Sequence, residues 1–155
     1  MPVTWKLSPF DALTPRELYD VLALRARVFV VEQKCAYLDC DGKDAAALHL
    51  MGRVDGALAA YARILPPGVS FAEAAIGRIV TAPEHRRAGF GRPLVREAIA
   101  RTREAFGDGA IRIGAQRYLE RFYGELGFVT ASDEYDEDGI PHVEMVLTRS
   151  ANTDR

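Results

Sequence analysis

Cysteine is scarce in this chain, with two in 155 residues. Two thiols cannot build the disulfide framework on which small secreted domains depend. Long apolar runs are missing as well. No stretch approaches the roughly 20 residues needed to cross a bilayer, and Met1-Pro2-Val3-Thr4 does not open a signal peptide. An excess of one charge is also absent: the net charge is −2, which provides no basic field for nucleic acid or an anionic membrane surface. These absences lead to the expectation of a cytoplasmic protein with neither nucleic-acid nor membrane partners. What is present is an ordinary globular composition, 48% hydrophobic and 27% charged. The length suits one domain with a real core. Residues 1–155 are therefore read as a single domain whose last eight residues, 148–155, form a frayed tail.

Cys35 and Cys40 match no common zinc spacing, and only His49 lies near them in sequence. Reduced thiols without a role are expected, with a metal site or a redox pair as alternatives; no metal is assigned.

Along the chain, residues 3–7 alternate as a short strand. Thr14-Pro15-Arg16-Glu17 forms a capping box with proline at the first helical position. Leu18, Val21, Leu22 and Arg25 follow at helical spacing, and the apolar run 28–31 either ends that helix or leaves it as a new turn. Residues 34–45 read as an irregular acidic loop, either solvated or facing a substrate. Residues 48–54 and 58–65 are two strands joined at Asp55-Gly56, a hairpin dipeptide. Strand 76–81, helix 93–106, strand 111–115, helix 117–126, a strand at 128–130, an acidic turn at 133–139 and strand 142–147 complete the order. This predicts an α+β fold, a mixed and mainly antiparallel sheet flanked by helices.

The segment that carries most chemistry is Arg86-Arg87-Ala88-Gly89-Phe90-Gly91-Arg92, between strand 76–81 and the following helix. Free backbone N–H groups at a helix start, next to its positive dipole end, form an anion cradle. Glycines let the backbone approach a phosphate closely, and the arginines add forked donors. A P-loop would need a Gly-Lys dipeptide, which is missing. A dinucleotide fingerprint would need its third small residue at Leu94. The pattern that fits is [RQ]-x-x-G-x-[GA], through Arg86, Gly89 and Gly91.

There the chain resembles the GNAT superfamily of acetyl-CoA-dependent N-acetyltransferases. The resemblance implies that the backbone of Ile79, Val80 and Thr81 holds the pantetheine arm and that Arg87 through Arg92 wrap the pyrophosphate of coenzyme A. A second signature agrees with it: Gln116-x-x-Leu119-x-x-Phe122-Tyr123-x-x-x-Gly127-Phe128, with Gln116 where asparagine is usual and Leu119 where alanine is usual. By resemblance, Gln116 and Phe122 belong to the cofactor site and Tyr123 is the acid that protonates the departing thiolate; as pattern alone, an aromatic at the helical spacing of Tyr123 is more often core than catalyst. For the base, the sequence offers Glu32, His49, Glu120, Glu144 and His142, or ordered water with no single base.

Three further stretches, 24–33, 37–42 and 137–142, resemble the ElaA-like branch of the same superfamily, although the connection from Asp41 to His49 is shorter than is usual there. Lying outside the cofactor signatures, they are expected to line the acceptor side through Arg25, Phe29, Glu32, Gln33, Tyr37 and His142. The acidic stretches 39–44 and 133–138 would suit a cationic acceptor. The resulting expectation is an N-acetyltransferase acting on a primary amine of a small molecule or a protein. A non-catalytic CoA-binding sensor is the alternative. An autoinducer-type acyltransferase ranks below it, because those enzymes generally lack the glycine loop. A homodimer through exposed strand edges is left open.

Overall fold

Thr14 starts the first helix through the capping box written in its sequence. Its hydroxyl accepts from the Glu17 N–H at 3.0 Å, and the Glu17 carboxylate accepts from the Thr14 N–H at 2.9 Å. This helix, α1 (Pro15–Arg25), neither stops nor breaks at the apolar run. It widens into a π-helical turn, Ala26–Glu32, of the kind that often marks a functional site. In the computed structural model residues 2–149 are described; of the expected tail, residues from 150 onward lie outside them.

One sheet organises the rest. Its strands are β1 (Thr4–Pro9), β2 (Leu48–Val54), β3 (Ala57–Leu65), β4 (Ala74–Thr81), β5 (Ile111–Gln116), β6 (Val129–Thr130), β7 (Tyr135–Glu137) and β8 (Ile140–Leu147). The order is β1-β2-β3-β4-β5-β8-β6, with β7 also paired to β8. Every pairing is antiparallel except β4 with β5. The β2–β3 turn places Asp55 at φ 50° and Gly56 at φ 82°, the left-handed pair that a two-residue hairpin requires.

Alternation along the strands divides the core between the two faces. Ala60, Ala62 and Ile64 of β3 pack with Leu94, Val95 and Ala98 of α2 (Gly91–Phe106). Tyr61 and the β2 residue Met51 instead meet Val21, Leu24 and Val28. Helices therefore cover both faces. Helix α2 begins two residues before Pro93, which is tolerated in the first turn because those N–H groups have no intrahelical partner anyway. The second predicted helix resolves into a 3₁₀ turn, Arg117–Leu119, and a short α3 (Glu120–Glu125). The acidic stretch 133–139 is not all turn, since β7 occupies its centre and only Asp138-Gly139 reverse the chain.

Strand β4 departs from regular pairing on both sides. Opposite β3 it carries an extra residue, pairing Tyr61 with Val80 but Arg63 with Gly77, and Arg78 in that bulge sits at φ 50°. Its parallel pairing with β5 lasts for only two residues, Ala74 with Ile111 and Ala75 with Arg112.

Candidate active site

Beyond Ala75 the two central strands part, and a cleft of about 550 Å³ opens between them. Residues 76–81 of β4 form one wall and 113–116 of β5 another. The β4 edge facing the cleft has no strand partner there, so its backbone groups are available to a ligand with amides of its own. Ile79, Val80 and Thr81 all line the cleft, where the sequence placed the pantetheine-binding backbone.

The glycine loop forms a 3₁₀ turn, Pro83–Ala88, followed directly by α2. Gly89 has φ 77°, a left-handed conformation that costs other residues about 1 kcal/mol or more. A Cβ added at Gly89 would meet nothing within 4 Å of the protein, and one added at Gly91 would lie 3.6 Å from Phe122. The space over Gly89 is thus open to a ligand, while that over Gly91 is occupied by the Phe122 ring. Arg86 reaches the cleft lining. The Arg92 guanidinium lies over the Phe122 ring at 5.5 Å and pairs with Glu125. Two expected cofactor residues have other tasks for their side chains. Phe90 is buried with Val54 and Ala59, which leaves only its backbone for a ligand. Phe122 packs beneath Arg92 and against the main core instead of lining the cleft.

Gln116 lines the cleft and donates from Nε2 to Gln33 Oε1 at 3.3 Å, linking β5 to the end of the π-helical turn. Tyr123 is 6% exposed, lines the cleft and has no hydrogen bond to its hydroxyl among the described residues. Burial pushes its pKa above the usual phenol value, so it carries its proton throughout the neutral range.

His142 also lines the cleft, with its ring stacked on Tyr135 at a centroid distance of 5.8 Å. Its Nδ1 lies 2.8 Å from the Ile140 carbonyl. A carbonyl can only accept, so Nδ1 carries the hydrogen and Nε2 of the neutral ring keeps a free lone pair. Glu137 Oε2 lies 3.6 Å from that Nε2.

The remaining base candidates are otherwise engaged. Glu32 is gripped by Arg86 through both carboxylate oxygens, and those hydrogen bonds hold its pKa below the usual carboxylate value. It is a poorer proton acceptor for that reason. His49 is buried: its Nε2 donates to the Asp44 carbonyl at 2.9 Å and its Nδ1 accepts from the Tyr61 hydroxyl at 2.6 Å. Burial keeps it neutral. Glu120 pairs with Arg117 and Glu144 with Arg112.

On the acceptor side Phe29, Gln33 and Tyr37 line the cleft, and burial pushes the Tyr37 phenol up to about 12. Arg25 does not belong with them. Its side chain is fully buried, donating from Nε to Asp39 and from Nη1 to Asp44, each at 2.8 Å. The loop that carries those acids is largely exposed, but its acid side chains are paired. Asp41 binds Arg63 at 2.8 Å, and Arg78 reaches back from the bulge to Asp39 at 2.7 Å. The acids at 39–44 are thus neutralised from within and offer no field to a cationic acceptor. Cys35 is buried, lines the cleft and donates to the Asp138 carbonyl at 3.2 Å, while Cys40 is exposed; both are free thiols. Among the described residues no three His, Cys, Asp or Glu side chains assemble as a metal site, and no helix is long and apolar enough to cross a membrane.

Among the lining residues the sequence singled out neither Arg78 nor Tyr118, whereas Glu137 and Asp138 belong to the stretch 137–142 expected on the acceptor side without being named there as candidates. An arginine inside an apolar strand was a signal for the first, and the Asp-Gly turn between two short strands was one for the last.

Comparison with known proteins agrees with this geometry. A family profile described as an acetyltransferase (GNAT) domain matches residues 24–149. A UPF0039 protein of Schizosaccharomyces pombe is 44% identical over 140 residues, covering 89% of this chain and 92% of its own. The crystal structure of an acyl-CoA N-acyltransferase from Pseudomonas aeruginosa superposes with a TM-score of 0.91 at 38% identity, over 95% of this chain and 100% of the other. Escherichia coli ElaA superposes with a TM-score of 0.87 at 34% identity, over 94% and 99%.

Proposed function

Because the chain belongs to the GNAT acetyltransferase family, we propose that it transfers an acetyl group from acetyl-CoA to a primary amine by direct attack. The observation that carries this reading is the unpaired β4 edge opening into a cleft that ends at the glycine turn. Backbone groups of residues 79–81 would hold the pantetheine amides. The N–H groups at the start of α2, with Arg87 and Arg92, would take the pyrophosphate, while Arg86 stays paired with Glu32. The open space over Gly89 fits such an anion without a shift of the chain.

The acceptor amine must lose a proton before it can attack. His142 Nε2, with its lone pair fixed by the Nδ1–H bond to Ile140, accepts that proton. Glu137 beside it balances the imidazolium. Backbone N–H groups polarise the thioester carbonyl. As the N–C bond forms and the C–S bond breaks, the Tyr123 hydroxyl gives its proton to the leaving thiolate. The single chain supplies every group in this scheme, so no second copy is required. Two free thiols accord with a reducing compartment such as the cytoplasm.

Calorimetry with acetyl-CoA, followed by thiol release over a panel of amines, tests the reading. Binding together with release to at least one amine is expected. Binding without release to any amine would favour a sensor, and absence of binding would overturn the premise.

A further inference from the structure

The wall of the cleft formed by the β7–β8 hairpin carries a charge pattern that acetyl transfer alone does not need. An acceptor class deduced from it rests on the proposed N-acetyltransfer. Every guanidinium lining the cleft is already matched: Arg78 by Asp39 and Asp41, and Arg86 by Glu32. The hairpin carboxylates are not. Among the described residues Glu137 meets no arginine or lysine within ion-pair distance, and its one ionic contact is with His142. Asp138, next along the chain and also in the lining, meets no cation at that distance among the described residues.

Two acids on a hairpin would by themselves be a solvated surface. Here they border a cleft whose lining includes two largely buried polar side chains, each with an atom that makes no hydrogen bond among the described residues. The His142 side chain is 8% exposed and its Nε2 has no hydrogen bond among the described residues; the Tyr123 hydroxyl likewise has none. Apolar surface lies between and around these groups, from Phe29, Ile113 and Ile140. The acceptor space thus brings together a proton acceptor, a methylene-compatible wall and, beside the proton acceptor, a negative rim that no arginine or lysine balances among the described residues.

We infer that the acceptor is a small alkyl amine bearing a second positive charge, a diamine-type molecule. Its reacting nitrogen meets His142, and its distal cation is held by Glu137 and Asp138. A free amino acid is disfavoured by the same arrangement. Its carboxylate would face the two hairpin acids while the cleft guanidiniums remain occupied by their own partners.

The test compares three acceptors of similar length whose far ends differ only in charge: 1,4-diaminobutane, n-butylamine and 4-aminobutanoate. Initial rates of CoA release at saturating acetyl-CoA give kcat/KM for each. The diamine should exceed butylamine by about fivefold beyond its statistical advantage, with 4-aminobutanoate last. In Glu137→Gln with Asp138→Asn the diamine-to-butylamine ratio should fall toward that statistical value, and Glu137→Lys should move 4-aminobutanoate ahead of the diamine. Asn tolerates the left-handed backbone at 138, and a melting curve confirms that each variant is folded. Calorimetric titration of 1,4-diaminobutane into the CoA-saturated protein reads the same contact without turnover; binding should be measurable in the wild type and lost in the double variant. Butylamine equal to the diamine, 4-aminobutanoate in first place, or a ratio unmoved by the variants would overturn the inference while leaving acetyl transfer intact. Release to other amines but to none of these three would also overturn it. Release to no amine at all would remove both readings together.

Discussion

Glu32 and Arg86 hold each other as a two-pronged ion pair, with Arg86 Nη1 2.7 Å from Glu32 Oε2 and Nη2 meeting Oε1. The pair joins the π-helical turn to the glycine turn, so an acceptor-side element and a donor-side element share one contact. It also separates two candidate bases. With its carboxylate occupied, Glu32 should be replaceable: Glu32→Gln is expected to keep kcat within about threefold, with any change appearing in KM for acetyl-CoA. His142→Ala should lower kcat by about 100-fold near neutral pH. That loss should shrink as pH rises toward the amine's own pKa, of about 10, where the acceptor is neutral without help. Steady-state kinetics across pH decides between the two residues; a 100-fold loss in Glu32→Gln would restore Glu32 as the base.

Tyr123→Phe separates chemistry from packing. The ring is buried and the hydroxyl makes no hydrogen bond among the described residues, so its removal should leave the melting temperature level or slightly raised. If the hydroxyl protonates the thiolate, kcat falls by about 10- to 100-fold. A fall in both quantities together would return Tyr123 to a purely structural role.

Gly91→Ala should divide stability from ligand binding. Alanine in place of a helical glycine gains about 0.5–1 kcal/mol, and the new Cβ makes only ordinary contact with Phe122 at 3.6 Å. The melting temperature should therefore hold or rise. The methyl group meets Phe122 rather than open space, so calorimetry should show acetyl-CoA binding changed by no more than about threefold.

Arg25→Ala is expected to destabilise the protein by about 3–5 kcal/mol, since it leaves partly buried carboxylates without their partner. For a chain of this size that corresponds to a melting temperature lower by about 10 °C. The same network sets an acid limit. Burial alone would raise the Asp41 and Asp44 carboxyls. The guanidinium hydrogen bonds, from Arg63 to Asp41 and from Arg25 to Asp44, outweigh it and hold both below their ordinary values. A carboxyl lowered in the folded state stabilises the fold above its unfolded pKa, about 3.9. That contribution is lost as pH falls through the folded value. Thermal melts should thus show these two groups giving constant support from neutral pH to about 5 and declining support below about 4.

The glycine loop, the capping box and the Asp55-Gly56 hairpin were legible because each is a local requirement met by adjacent residues. The GNAT fold was legible because two such local signatures lie at a fixed distance along the chain. Arg25 was not. Its place at the end of a helix beside an acidic loop reads as part of the acceptor side, and only the folded chain shows that Asp39 and Asp44 close on it. The π-helical widening at residues 26–32 leaves no mark in an apolar run. The parting of β4 and β5 was likewise hidden, because each strand is apolar enough to read as fully paired. Glu137 looked like one more charge in an acidic turn until β7 brought it alongside His142.

The two-residue seam between β4 and β5 turns the sheet into a pair of blades joined near one end, at Ala74 and Ala75. From Ala75 to Thr81 an extended chain covers about 20 Å. A rotation of about 5° at the seam therefore shifts the far end of one blade by about 2 Å relative to the other, by leverage alone. Hydrogen-bond partners at the open end can be brought within or beyond reach by a pivot that disturbs almost nothing near the joint. The Gln33–Gln116 contact ties the far end of the β5 blade to the chain leaving the π-helical turn, and the Cys35–Asp138 contact ties that same chain to the β7–β8 turn, so the open end is braced from outside the sheet.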